Sequence, residues 1–173
     1  MAKQRPRQLV IDADIVNSAS EAKYPISSTC RKFLDTVLDV GHHVVMTNAI
    51  REEWHRHMSR YSRRWRRRMW ARKRVVKIIG ERDETLRGRI DASVSQDQQA
   101  MVAKDVHLVE AALATDRLIT SQDERVRSAL RTASNNVGEL KRIVWVNPTR
   151  GDETPIDWLR DGAKTEEHRL LGS

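Results

Sequence analysis

The chain has 173 residues, of which 32% are charged, with a formal net charge of +8. One domain with a core of its own is therefore expected, with no need for stabilising cross-links. The single cysteine, Cys30, excludes an internal disulfide and fits a reducing compartment, while no apolar run approaches the ~20 residues of a membrane helix. The amino-terminal residues lack a signal-peptide apolar core, so a soluble, cytoplasmic protein with a basic surface is expected.

In chain order, Gln8–Ile11 closes on the continuous apolar run Leu9-Val10-Ile11, as in a strand buried on both faces. A helix is expected over Ser27–Val40, capped by Ser28, with Phe33, Leu34, Val37 and Leu38 on its inner face and Gly41 ending it. His43–Thr47 reads as a second strand. From Asn48, Trp54, Met58, Tyr61, Trp65 and Met69 recur at spacings of 4, 3, 4 and 4, an apolar stripe at helical period. This predicts one long helix over about residues 48–79, stopped by Gly80. Glu81–Val94 carries no clear pattern.

Ser95-Gln96-Asp97-Gln98 has the form of a capping box. Beyond it Val102, Val106, Val109 and Leu113 line one helical face to about Thr115. Arg117–Thr120 is strand-like, and Ser121-Gln122-Asp123-Glu124 opens another helix with a second box. Arg142–Val146 is the last strand. A C-terminal extension over about residues 147–173 contains a short helix that buries Trp158. Strands alternating with helices predict a single α/β domain, residues 1–173: a three-layer α/β/α sandwich around a parallel sheet of about four to five strands.

Four acidic residues stand where such strands run out: Asp12, Glu53, Asp105 and Asp123. In open α/β sheets, sites form outside the carboxyl ends of the strands. Carboxylates converging there repel one another unless a cation lies between them, and oxygen ligands suit a hard divalent ion. Each acid also has a plain reading, since negative charge in a first helical turn is favoured by about 0.3–1 kcal/mol. Asp12 is the exception, because a carboxylate ending a fully apolar strand is costly unless paired or metal-bound. Asp116 is a further acid that helix-end polarity explains equally well, and Thr120 and Ser121 are candidates to orient water or phosphate.

These residues resemble a known family. Leu9-Val10-Ile11-Asp12-Ala13-Asp14 looks like the opening strand of PIN-domain nucleases, with Asp12 as their first acid. Ala49-Ile50-Arg51-Glu52-Glu53-Trp54 resembles their second motif, a Glu followed by an apolar residue, which selects Glu53 over Glu52. The Lys104–Leu113 segment is similar to the third motif, and Ser121-Gln122-Asp123 to the Thr/Ser-x-Asp motif, 18 residues beyond Asp105. The resemblance covers about residues 8–130 and implies a PIN-like fold with Mg²⁺- or Mn²⁺-dependent cleavage of RNA. Asp12, Glu53, Asp105 and Asp123 would then be both catalytic and metal-holding. It also implies either a toxin paired with a neutralising partner, as is frequent in the family, or an RNA-processing nuclease. Asp14 stands where many members carry Asn or Ser, as an extra ligand or a merely polar residue.

Between Glu53 and Glu81 there is no acid. Arg60, Arg63, Arg64, Arg67, Arg68, Arg72 and Lys73 make this stretch a candidate phosphate-binding surface, since arginine forks suit phosphate. RNA is the preferred partner, with DNA and an acidic inhibitor protein as alternatives; a homo-oligomer is also compatible. Trp54 and Trp65 lie on the apolar stripe and are expected in the core, whereas Trp70 lies off it and is the candidate exposed aromatic. Paired histidines at 42–43 and 55/57 do not make a zinc site, because i and i+2 on a helix point apart. His107, two positions after Asp105, is expected to pack or face solvent, with a place beside the site as the alternative.

Two other readings compete. Asp12-Ala13-Asp14-Ile15-Val16 has the Asp-x-Asp form of haloacid-dehalogenase phosphatases, with Asp12 as nucleophile, Asp14 as general acid and Thr47-Asn48 as the second motif. The third reading is a non-catalytic nucleic-acid-binding module.

Overall fold

Leu9, Val10 and Ile11 are fully buried because strand β1 (Gln8–Ile11) lies at the centre of the sheet. The computed structural model describes residues 4–173; the lead-in residues 1–3 lie outside the described residues. The other strands are β2 (His43–Met46), β3 (Val75–Lys77), β4 (Leu118–Thr120) and β5 (Val144–Val146). They pair in the order β3-β2-β1-β4-β5, parallel throughout. A parallel sheet needs both faces covered, and the short strands are accordingly apolar.

The first crossovers run through α1 (Ala13–Ser18), α2 (Pro25–Val40), α3 (Asn48–His57) and α4 (Arg60–Ala71). The chain then returns past β1 through α5 (Glu84–Asp91), α6 (Gln96–Ala103) and α7 (Val106–Leu113). After β4 it continues through α8 (Glu124–Ala133) and, past β5, to α9 (Pro155–Arg160). Right-handed crossovers that reverse direction place the two groups on opposite faces. The result is the expected three-layer α/β/α sandwich. Its reversal falls between β1 and β4, the position where open sheets leave a crevice at their carboxyl ends.

The expected helix over residues 48–79 is in fact two helices and a strand. Met58 and Ser59 break it, and the Ser59 hydroxyl caps α4 by accepting from Ser62 N at 3.0 Å. The apolar stripe nevertheless runs across the break, with Trp54, Met58, Trp65 and Met69 all buried. After α4 the chain turns at Lys73, φ 55, and forms β3, which the sequence pattern had merged into the helix. Gly80, φ +68, ends this region, and a Cβ there would stand 2.8 Å from the Thr47 side chain. That contact matters because Thr47 caps α3, accepting from Ile50 N at 3.1 Å.

Other boundaries shift by a few residues. α2 starts at Pro25, behind Tyr24, so Ser28 lies inside it, and Gly41 ends it in the left-handed conformation as expected. Ser95 precedes α6 without a side-chain cap, and the expected continuous helix to Thr115 breaks before Asp105. Asp123, not Ser121, caps α8, its Oδ1 accepting from Arg125 N and Val126 N.

Trp54 links this packing to the strand that carries Asp12. Its indole nitrogen donates to the Ile11 carbonyl at 3.0 Å, and its ring stands 6.1 Å from that of Trp65. Trp54→Phe keeps most of the apolar contact and removes the donor. The loss is expected to cost about 2 kcal/mol, a fall of roughly 4–8 °C in Tm. A melting curve superimposable on wild type would show that the carbonyl finds another partner.

Candidate functional site

Asp12 follows β1 directly, and its backbone N–H continues the ladder to the Thr120 carbonyl at 3.0 Å. The carboxylate is thereby held at the end of the central strand, buried at 7% exposure. Ser121, one residue past β4, is fully buried and donates to Asp12 Oδ2 at 2.7 Å. Its hydroxyl also lies 3.2 Å from Asp14 Oδ2 and accepts from Asp123 N at 3.1 Å. One hydroxyl thus ties the ends of β1 and β4 together at the topological switch point.

The first turn of α1 brings Asp14 back over this point. Its Oδ2 accepts from Gln122 N at 2.9 Å, and its Oδ1 is buried with no hydrogen-bond partner. Asp105, 5% exposed, stands at the start of α7, and Lys104 Nζ reaches back to its two oxygens at 3.0 and 3.1 Å. Glu53, on α3, meets His107 of α7, Nε2 to Oε2 3.3 Å, without the geometry of a hydrogen bond.

The electrostatics show that these groups share one region. Burial raises the Asp12 pKa, the Ser121 bond opposes it, and Glu53 raises it further. Burial and then Asp12 push Asp14 up to about 8, with Asp123 adding to the effect. Burial and Asp12 likewise push Asp105 up to about 6 against the pull of Lys104. Burial pushes Lys104 down, but Asp105, Asp12 and Asp123 outweigh it and hold its ammonium above the ordinary lysine range. His107, Lys104 and Arg56 hold Glu53 low despite its burial, and Glu53 holds His107 high despite burial of the imidazole.

Asp12, Asp14, Glu53, Asp105 and Asp123 therefore lie near enough to one another to feel each other's charge. Glu52 is exposed and lines a neighbouring cleft instead. The Thr120 hydroxyl is used inside the sheet, on the Val10 carbonyl at 3.3 Å. Asp116 lies at the opposite end of β1, bonded to Gln8 N and paired with Arg7, so it is no member of the cluster. Sequence reading missed Lys104 as a participant, and His107, given a place beside the site only as the alternative, meets Glu53. Nearness to Asp105 is the one signal in either, and that holds for any neighbour of an acid.

An all-oxygen donor set with excess negative charge fits a hard divalent cation such as Mg²⁺ or Mn²⁺, and the unpartnered Asp14 Oδ1 is the kind of atom such an ion would satisfy. Among the described residues, however, no three His, Cys, Asp or Glu side chains stand together in ion-holding geometry. Ser121, Lys104 and the backbone amides of Gln122 and Arg125 instead each hold one of the carboxylates.

The expected phosphate-binding residues divide. Arg60, Arg63, Arg64, Arg67 and Arg68 are exposed along α4, Arg64 pairing with Glu21. Arg72 and Lys73 turn at the amino ends of the strands, where Arg72 shares a groove with Gly41, His42 and His43, at the edge of the sheet away from the acids. Trp54 and Trp65 are core, and Trp70 is exposed, as expected. His42 is buried between Arg7 N and the Leu159 carbonyl. Among the described residues, no helix is long and apolar enough to cross a membrane. No family model matches the chain, and no curated protein matches it closely.

Proposed function

We propose that this protein is a metal-dependent nuclease that hydrolyses phosphodiester bonds in RNA. The observation that carries the reading is the acidic crevice at the switch point between β1 and β4, where Ser121 bonds both Asp12 and Asp14 and where Asp12, Asp105 and Glu53 each raise or feel one another's charge. Its resemblance to PIN-domain nucleases supports the same reading. Asp12, Glu53, Asp105 and Asp123, with Asp14, are the residues that would hold Mg²⁺ or Mn²⁺. When bound, such an ion supplies Lewis-acid polarisation of a phosphodiester and lowers the pKa of water at the site.

The chain's own residues do the rest. Ser121 fixes the Asp12 carboxylate, His107 offsets charge at Glu53, and Lys104 offsets charge at Asp105 and offers an ammonium to an incoming phosphate. The exposed arginines of α4 draw in the polyanion. An acidic inhibitor protein that covers this basic surface belongs to the same reading.

One observation favours a second reading. Asp14, held protonated to about 8 beside Asp12, has the protonation state of a general acid next to a nucleophile, as in a haloacid-dehalogenase-type phosphatase. A single experiment separates the two. The protein is incubated with RNA, DNA and a small aryl phosphate under Mg²⁺, Mn²⁺ or chelator. RNA cleavage that needs the metal supports the nuclease; aryl phosphate turnover with intact RNA replaces it by the phosphatase. Salt-sensitive RNA binding without turnover of any substrate leaves only a binding module.

A further inference from the structure

Beside the acidic crevice lies an open cleft of about 650 Å³ lined by Met46, Arg51, Glu52, His55, Arg56, Arg66 and Trp70. Its construction follows from helical spacing. Arg51, Glu52, His55 and Arg56 occupy one face of α3, an i, i+1, i+4, i+5 set, and Arg66 and Trp70 are an i, i+4 pair on α4. Met46, the last residue of β2, forms the floor. Glu53 lies on the adjoining face of α3, toward α7. The cleft and the crevice are therefore separated by about the width of one helix, ~10 Å.

Three guanidinium groups meet one carboxylate here. Among the described residues Arg51, Arg56 and Arg66 have no acidic partner within ion-pair distance, and Glu52 has no basic one. Burial, Arg63, Arg51 and Arg67 together hold Arg66 below the ordinary arginine range, the mark of cations crowded without a counterion. Trp70 is the one tryptophan with a solvent-facing ring: it is 40% exposed, against 0–2% for Trp54, Trp65, Trp145 and Trp158. Lys77 stands 4.7 Å from its ring centre and braces it. A large exposed indole is costly in water, and this one is set among unpaired arginines.

We propose that this cleft is a subsite for single-stranded RNA, in which a base stacks on Trp70 while Arg51, Arg56 and Arg66 hold the flanking phosphates. Stacking on an aromatic face requires an unpaired base, so the cleft selects single-stranded over duplex substrate. A strand lying in it passes over α3 into the acidic crevice. The inference rests on the nuclease reading for that direction of travel, and its test involves no turnover.

Binding of a short unstructured oligoadenylate is measured under chelator by tryptophan fluorescence and by anisotropy of a labelled strand. Because the other tryptophans are buried, quenching of the red-shifted emission reports on Trp70 alone. The expected result is saturable quenching in wild type, roughly tenfold weaker binding for Trp70→Ala, and near wild-type affinity for Trp70→Phe. Arg66→Gln should lower the slope of log affinity against log salt by about 0.7, the value for one phosphate contact on a single strand. Circular dichroism checks that each variant is folded, as expected for an exposed Trp70 and a half-buried Arg66 at the cleft wall.

Wild-type affinity in Trp70→Ala, or equal binding of a fully paired hairpin, overturns the subsite. If quenching and the variant pattern hold while Mn²⁺ brings no cleavage, the subsite stands and the nuclease reading falls. If cleavage occurs and Trp70→Ala binds as wild type, only the subsite falls.

Discussion

Asp12→Asn is expected to abolish metal-dependent RNA cleavage while leaving the protein folded and RNA binding nearly unchanged. The substitution preserves shape and an oxygen for the Ser121 hydroxyl, which now donates to Asp12 at 2.7 Å. It removes the one buried charge that raises both Asp14 and Asp105. Relief of that repulsion should make the variant at least as stable as wild type without metal, so lost activity cannot be blamed on unfolding. The loss should exceed the roughly 10–100-fold expected of an outer-shell partner, and Ser121→Ala supplies that comparison in the same cleavage assay. Persistent cleavage by Asp12→Asn, or a larger loss from Ser121→Ala than from Asp12→Asn, would remove Asp12 from the chemistry.

The second large effect is on stability, and its sign is opposite to the usual carboxylate case. Asp14 is pushed from 3.8 to about 8 and Asp105 to about 6 in the folded protein. Between those values the folded state holds protons that the unfolded chain has released. Stability in this window therefore falls as pH rises. His107, raised by Glu53, acts in the same direction, since its contribution is lost as pH climbs through its folded pKa. Even about 2 kcal/mol of this linkage, well below what the Asp14 shift gives in isolation, lowers Tm by roughly 4–8 °C from pH 5 to pH 8.

Asp14→Asn should flatten most of that slope. Mn²⁺ should reverse it, because ion binding requires the deprotonated carboxylates and so strengthens with pH. At a hundredfold excess over Kd, the ion adds about 2.7 kcal/mol. Thermal melts at pH 5 and pH 8, with Mn²⁺ or chelator, read all of this. A wild-type Tm indifferent to both pH and Mn²⁺ would count decisively against a shared ion site.

Much of this arrangement was legible in the residues themselves. Leu9-Val10-Ile11 is a run too short for a helix and too apolar for a surface, and it is the central strand. The chain order of strands and helices led to the parallel sheet, and the strand-end rule placed Asp12, Glu53 and Asp123 on one rim. Strand β3 was missed for a physical reason. Val75, Val76, Ile78 and Ile79 continue an apolar series that begins on a helix, and no Gly or Pro marks the turn at Lys73, which takes up its positive φ without one. The β-branched run was the available signal. Ser59 was overlooked because the buried stripe passes across its break without a change in spacing.

Two parts of the site were beyond sequence reasoning. Nothing in Lys104 announces that its ammonium turns back onto Asp105, since an exposed lysine before a helix is ordinary. Likewise Glu53 and His107 sit on helices far apart in the chain, and only the packing of α3 against α7 makes them neighbours. Asp116 illustrates the reverse: an acid before a strand instead of after it falls at the wrong end of the sheet.

The sheet's two borders are treated differently. Beyond β5, the C-terminal turn lays Leu170 beside Val144 and bonds Leu171 N to the Ile143 carbonyl, so that border is closed by the chain itself. Among the described residues no strand follows beyond β3, and Arg72, Lys73 and Lys77 stand beside that border, whereas Arg74 turns back to the Leu38 carbonyl. Positive charge along an open border discourages a second molecule from adding its own strand. The cations along this border thus act as gatekeepers against self-association, a role separate from that of the exposed arginines of α4.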